Sequence, residues 1–394
     1  MNFKELAQKY HDRIITYRRD FHSEPEVSFH EFKTSEKIKK FLTDNGIEIL
    51  PIVSDTSVVG IIRGGKPGKT FGLRADIDAL PMPEKNELPY KSKHEGVMHS
   101  CGHDAHTAML MGVALVINEV KDELEGNLKL IFQAAEEKTP GGAIGLVNAG
   151  VLENPTVDAI MAFHVNTTLP AGVVGFKPNA SSASADKFTI TVIGVGGHGA
   201  HPDKTIDPIA ISGQIITSLQ QIISRSISGV QSGVVTIGTI HGGTKDNIIA
   251  DEVVMTGTIR TLDKNIRTFI HKRIDEILRG IEISFNCKCK LELELGYPVL
   301  YNNAEFIRDY AVGSTAKIVG AENVIELPVP SMGAEDMAYY LEKVPGVIGS
   351  LGAGNVAKGI TVGGHNSLFN IDEDCLWVGT ACLAQTAWDY LSAK

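Results

Sequence analysis

Hydrophobic and polar positions change period several times along the chain, and each change marks an element. Residues 3–21 carry apolar side chains at helical spacing, and 32–42 repeat the pattern behind a Thr34/Ser35 start signal. Short apolar runs follow at 57–62, 70–73, 128–132 and 159–163, each of a length that suits a buried strand. Between the second and third runs, 105–120 is apolar or small on most faces and predicts a buried helix. Strands alternating with helices predict an α/β domain whose sheet is mixed but largely parallel.

From 184 to 296 the pattern changes. Phe188, Ile190 and Val192 alternate with threonines, as a half-buried strand does. A helix with Ile209, Ile215, Ile216, Leu219, Ile222 and Ile223 on one face follows, then strands at 234–240 and 253–259. A second helix carries Ile266, Phe269, Ile270, Ile274, Ile277 and Leu278. The last strand sets Cys287, Cys289, Leu291, Leu293 and Leu295 against Lys288, Lys290, Glu292 and Glu294. The order β-α-β-β-α-β is the ferredoxin-like split βαβ, complete in itself. It predicts an inserted domain at 184–296 within an α/β domain formed by 1–183 and 297–394.

The 394 residues are 43% hydrophobic and 21% charged, enough for two cores and inconsistent with disorder. A net charge of -10 argues against nucleic acid or an anionic membrane as partner, since both reward a basic surface. The charged start MNFKELAQKYHDRIITYRRDF lacks the apolar core of a signal peptide, and no apolar run nears the roughly 20 residues that span a bilayer. Five cysteines at irregular spacing form no disulfide framework, so a cytoplasmic protein is expected.

Candidate chemistry is concentrated in one place. His99, Cys101, His103 and His106 fall immediately around the start of the 105–120 helix, a ligand set suited to zinc or a similar divalent ion. Glu136 and Glu137 follow the 128–132 run, where α/β sheets place their sites. His164 follows the 159–163 run, Asp76 and Asp78 follow 70–73, and His365 stands behind Gly363-Gly364. Each carries little weight alone. Their common position at strand ends of one sheet is what points to a single site.

These residues amount to a family resemblance. The motifs LRADIDALPM (73–82), MHSCGHDAH (98–106), FQAAEE (132–137), AFHV (162–165), GVGGHGAHP (194–202) and DNIIADEVVMTGTIRT (246–261), with Arg18-Arg19-Asp20-Phe21-His22 before them, resemble the aminoacylase/carboxypeptidase family of dinuclear metallopeptidases. The similarity is greatest to its amidohydrolase branch, which includes hippurate hydrolase, N-acyl-amino-acid amidohydrolases and auxin-conjugate hydrolases. The resemblance implies two divalent metal ions per subunit (zinc, manganese, cobalt or nickel) held by Cys101, His103, Glu137, His164 and His365. It implies Glu136 as the general base, taking a proton from the attacking water and returning it to the leaving amine. Asp76 and Asp78 are expected to orient the ligands from behind. His198 is expected to stabilise the oxyanion, with Asn247 and Arg260 on the substrate's α-carboxylate, Arg260 ending its strand beside Asn247.

The implied activity is hydrolysis of N-acyl amino acids or related small peptides, by a homodimer or higher oligomer joined through the inserted lid and its edge strand at 287–295. A dipeptidase, a carboxypeptidase or an N-acetyl-diaminopimelate deacetylase would keep the same motifs. Asn366-Ser367 stands where relatives usually carry a small or basic residue and Pro. Two rivals come from other classes. A cysteine hydrolase using Cys101 with His103 or His106 would leave Glu136 and Glu137 no task. A lapsed binding protein need not have kept Glu136.

Overall fold

The computed structural model describes residues 1–52 and 56–393. The chain forms two compact units. The larger comprises Met1–Asn179, Tyr301–Val329 and Asp336–Lys394; the smaller comprises Ala180–Leu300 and Pro330–Glu335.

In the larger unit, four strands are joined by parallel pairing in the order Glu125–Gln133, Lys66–Asp76, Ala159–Pro170 and Gly346–Gly354. Antiparallel neighbours flank them, with Val58–Arg63 beside Glu125–Gln133 and Val174–Phe176 beside Gly346–Gly354. The strands are longer than their apolar runs because flanking polar residues continue the ladder. His164 therefore lies inside Ala159–Pro170, opposite Ser350, and not beyond a strand end.

The His103–Glu119 helix is buried from His103 to Ile117, which explains its lack of a polar face. Gly112 permits this packing: a Cβ there would lie 2.7 Å from Ile14 Cδ1 and 2.8 Å from Thr380 Oγ1, on the two helices that enclose it. The first predicted helix is in fact two, Phe3–Lys9 and His11–Ser23, which break at Tyr10. Thr34 and Ser35 do not start the next helix. Phe32–Asp44 begins after Glu31, and both residues are buried in its first turn, Ser35 Oγ donating to Glu31 O.

The smaller unit is a four-stranded antiparallel sheet in the order Gly233–Gly242, Glu252–Thr261, Ser184–Ile193, Lys288–Glu294. Helices Pro208–Ser226 and Lys264–Phe285 contribute their isoleucine faces to a core with Phe188, Ile190, Val192, Val253, Met255 and Ile259. This is the ferredoxin-like order. A late segment returns to it: Ala183 N–H donates to Ser331 O and Gly333 O, at 3.1 and 2.9 Å. No helix among the described residues is long and apolar enough to cross a membrane.

Candidate metal centre

The ends of the parallel strands converge on the start of the His103–Glu119 helix. Gly102 sits between Cys101 and His103 at φ +93°, where its missing Cβ avoids collision with the Val165 side chain. That turn places both flanking side chains in one cluster. Cys101 Sγ lies 3.4 Å from His164 Nε2. Glu137 Oε1 lies 3.1 Å from His365 Nε2 and 3.9 Å from His103 Nε2. Three overlapping groups result: Cys101 with His103 and His164; Cys101 with Glu137 and His365; and His103 with Glu136 and Glu137. Within each group the ligand atoms lie within 4.8 Å of one another. All five expected ligands and Glu136 are thus brought together.

Supporting bonds fix which atoms face inward. His103 Nδ1 bonds Asp78 O at 2.9 Å and Asp78 Oδ1 at 3.1 Å, so Nε2 is the atom turned to the cluster. His164 Nδ1 donates to Val165 O at 2.8 Å, which likewise frees Nε2. Asp76 does a different job from Asp78. Its Oδ1 accepts from His106 Nδ1 at 2.5 Å, its Oδ2 from Arg74 at 2.6 Å, and Oδ2 stands 3.7 Å from His103 Nε2. His365 carries φ +59° and is tied to the loop before Cys101 by its own N–H, which donates to Ser100 O at 2.7 Å. After it, Asn366 Oδ1 accepts from Leu368 N–H, so the departing motif closes a local turn.

The cluster fits cations. His103 Nε2 is buried without a hydrogen-bond partner among the described residues, and Glu137 Oε1 beside it meets only the His365 imidazole, which is costly for buried groups of that polarity unless something binds them. Burial pushes the Cys101 thiol up, but His164 and His103 overcome it and bring it down to about 6. Bonds to Cys101 and Glu137 hold the His365 imidazole up, at about 10. Burial lowers His103, yet Asp76 and Cys101 raise it well above the usual range. A thiolate, a carboxylate and three imidazoles are a donor set for divalent transition metals, and binding would displace the imidazole protons.

Of the four residues read together near Cys101, His106 falls in a separate group with Asp76 and His103, and His99 falls in none among the described residues. His106 Nε2 accepts from Val165 N–H at 2.9 Å while Nδ1 donates to Asp76, so both nitrogens are engaged. Burial lowers His99 to about 4, and it adjoins His22 instead. The Arg18–His22 stretch supports the site from behind: Arg18 Nε and His22 Nδ1 both bond Asp104 Oδ2 at 2.8 Å, and His22 Nε2 bonds Glu84 at 3.1 Å. Sequence reasoning gave Arg74, Glu84 and Glu31 no role. Single polar residues far apart in the chain carry no spacing signal.

His198, Asn247 and Arg260 belong to the smaller unit. His198 pairs with Ile248 in a short ribbon, its Nδ1 accepting from Ala200 N–H, and Asn247 O accepts from Gly199 N–H. Arg260 is not beside Asn247. It pairs with Ala185 and Val234 near the far end of Glu252–Thr261, about 27 Å from the start of that strand at 3.4 Å per residue. The expectation fails because a ten-residue strand intervenes.

The model of peptidase family M20/M25/M40 matches residues 72–389. Thermostable carboxypeptidase 2 of Saccharolobus solfataricus is 41% identical over 387 residues, covering 98% of this chain and 97% of that protein. N-acetylcysteine deacetylase of Bacillus subtilis is 38% identical, covering 97% and 98%. A crystal structure of a dinuclear metal binding peptidase of the M20 family from Bacillus subtilis superposes with a TM-score of 0.85 at 35% identity, covering 98% of this chain and 99% of that one.

Proposed function

The chain belongs to the M20/M25/M40 peptidase family of metallo-hydrolases that act on amide and peptide bonds, and from that premise we propose that it hydrolyses N-acyl amino acids at a two-metal centre. The carrying observation is the convergence of Cys101, His103, Glu137, His164 and His365 beside the buried Glu136. Bound there, two divalent ions would polarise the scissile carbonyl and acidify water. Glu136 then takes the proton of the attacking water and delivers it to the leaving nitrogen. Asp78 fixes the ring of His103, and Asp76 neutralises the Arg74 side of the site.

The smaller unit is proposed as a lid supplying substrate contacts. His198 would donate to the oxyanion, and Asn247 and Arg260 would bind the carboxylate. A strand's length separates the last two within one chain, which supports assembly of that subsite by two copies. Of the smaller sheet's two edges, Gly233–Gly242 is uncharged and exposed along most of its length, whereas Lys288–Glu294 is guarded by lysines and glutamates. An unguarded edge favours pairing, so we place the second copy on Gly233–Gly242 and not on 287–295. Mixing His198→Ala with Glu136→Gln protein should then restore partial activity.

The deciding experiment is a hydrolysis screen over N-acetyl, N-benzoyl and N-aminoacyl amino acids with defined added zinc, manganese, cobalt or nickel. Activity lost to a chelator and regained with metal supports the reading. Activity that survives chelation but not thiol alkylation would establish the cysteine-hydrolase alternative. Preference for dipeptides over acyl amino acids would move the assignment to a carboxypeptidase.

A further inference from the structure

We propose that Glu31 is a positioning residue for the general base, holding Glu136 in place through the backbone amide of Ala135. The inference rests on the assignment of Glu136 as base. Glu31 is fully buried ahead of the Phe32–Asp44 helix, yet its side chain does not cap that helix. The helix's free amides are served by Glu26 instead, which accepts from Lys33 and Thr34 N–H. Glu31 reaches away: Oε1 accepts from Ala135 N–H at 2.8 Å, and Oε2 from Thr56 Oγ at 2.6 Å.

Ala135 is where an anchor is needed. Pairing of the Glu125–Gln133 strand with Lys66–Asp76 ends at Gln133 opposite Asp76, so the ladder does not hold the residues beyond it. Ala135 then adopts φ +56°, a left-handed conformation that L residues avoid and that persists only when surroundings enforce it. The next residue is Glu136. On either side the loop is also pinned by side chains, with Ser57 Oγ accepting from Ala134 N–H at 3.0 Å and Asp78 Oδ2 from Glu137 N–H at 3.0 Å. Ser28 Oγ in turn donates to Asp78 Oδ2 at 2.7 Å. Ala135 O accepts from Gly142 N–H at 3.2 Å, but of these side chains Glu31 alone bonds the left-handed residue that precedes Glu136.

Three variants separate positioning from charge and from fold. Glu31→Gln keeps an oxygen for Ala135 N–H and turns its amide toward Thr56 Oγ, which can accept. Glu31→Asp keeps the charge but falls one methylene short. Thr56→Val removes the partner of the other oxygen and spares Ala135. Each is measured for kcat, KM, metal per chain, thermal midpoint and, in metal-free protein, hydrogen exchange of the Ala135 amide. We expect Glu31→Asp to lose roughly ten- to a hundredfold in kcat, with KM and metal content near wild type and faster Ala135 exchange. Glu31→Gln should stay near wild type on both readouts, and Thr56→Val should lower the midpoint without lowering kcat. Should Glu31→Asp not fold, the comparison is made in an Ala135→Gly background, where glycine takes the positive φ without steric cost. Equal damage from Gln and Asp, kcat falling only in step with metal, or unchanged Ala135 exchange would overturn the proposal. Glu136→Gln is the companion: if it keeps turnover, the base assignment itself fails. If it is inactive while the Glu31 series stays flat, only the positioning role is lost.

Discussion

The proposed division of labour between the adjacent glutamates has a geometric basis, because successive side chains leaving a strand point to different places. Glu137 faces His365 and His103, while Glu136 is buried among different partners and shares only the His103 side of the cluster. We expect Glu136→Gln to abolish turnover, a loss of about 10²–10⁴-fold or more, with metal stoichiometry intact, and Glu137→Gln to lose metal. Elemental analysis beside steady-state rates decides it, and metal loss in the Glu136 variant would reverse the roles. Cys101 offers an independent check, since a coordinated thiolate is shielded from alkylation. Metal-free protein should be labelled at Cys101 and then fail to recover activity on metal addition, whereas metal-loaded protein should be protected; equal labelling of the two forms counts against ligation. At this scale the sequence is informative where chemistry is dense. A Cys, three His and two Glu in short motifs stand out, but the partners that set their tautomers and backbone angles do not. Arg18, Glu31 and Arg74 are ordinary charges until the fold buries them.

Elements are legible where burial sets the pattern, and obscure where polar residues join a ladder or a long-range contact decides. The Ala159–Pro170 strand outruns its apolar run by seven residues, 164 to 170, and the helix break at Tyr10 leaves no Gly or Pro in the sequence. The smaller unit's βαββαβ order is readable directly from alternation, but its polar joint is not. Asp186 is fully buried and accepts from Arg267, from His271 Nε2 at 2.8 Å and from Gly296 N–H at 3.0 Å, tying a strand, a helix and the exit from the last strand together. Burial raises its carboxyl, but the Arg267 and His271 bonds prevail and leave it at about 2. A folded value below the unfolded one near ~3.9 adds stability that is present above that pH and is lost as pH falls toward 2. Asp186→Asn should therefore cost this unit about 3 kcal/mol at neutral pH, as breaking a buried pair does, and should flatten the acid limb of its stability curve. Urea unfolding at neutral and acid pH measures both; an unchanged acid limb would show that other groups govern acid unfolding.

The whole molecule joins two cores that differ in what can stabilise them. One is the large cluster around the His103–Glu119 helix and the eight-stranded sheet, and the other is the isoleucine-rich cluster of the smaller unit. Every expected metal ligand, from Cys101 to His365, lies in the larger unit, on segments far apart in sequence. Metal that binds this arrangement and not the unfolded chain stabilises the larger unit by mass action, about 4 kcal/mol at a thousandfold excess over Kd. The smaller unit holds none of these five expected ligands and is expected to gain nothing by this route. Calorimetry should therefore resolve two transitions, of which chelation lowers one and metal add-back restores it. Asp186→Asn identifies the other, because it weakens only the smaller unit's polar joint. If chelation and Asp186→Asn shift the same transition together, the two units unfold as one cooperative body. If chelation shifts neither, the Cys101–His103–Glu137–His164–His365 cluster does not hold metal strongly enough to serve as the centre.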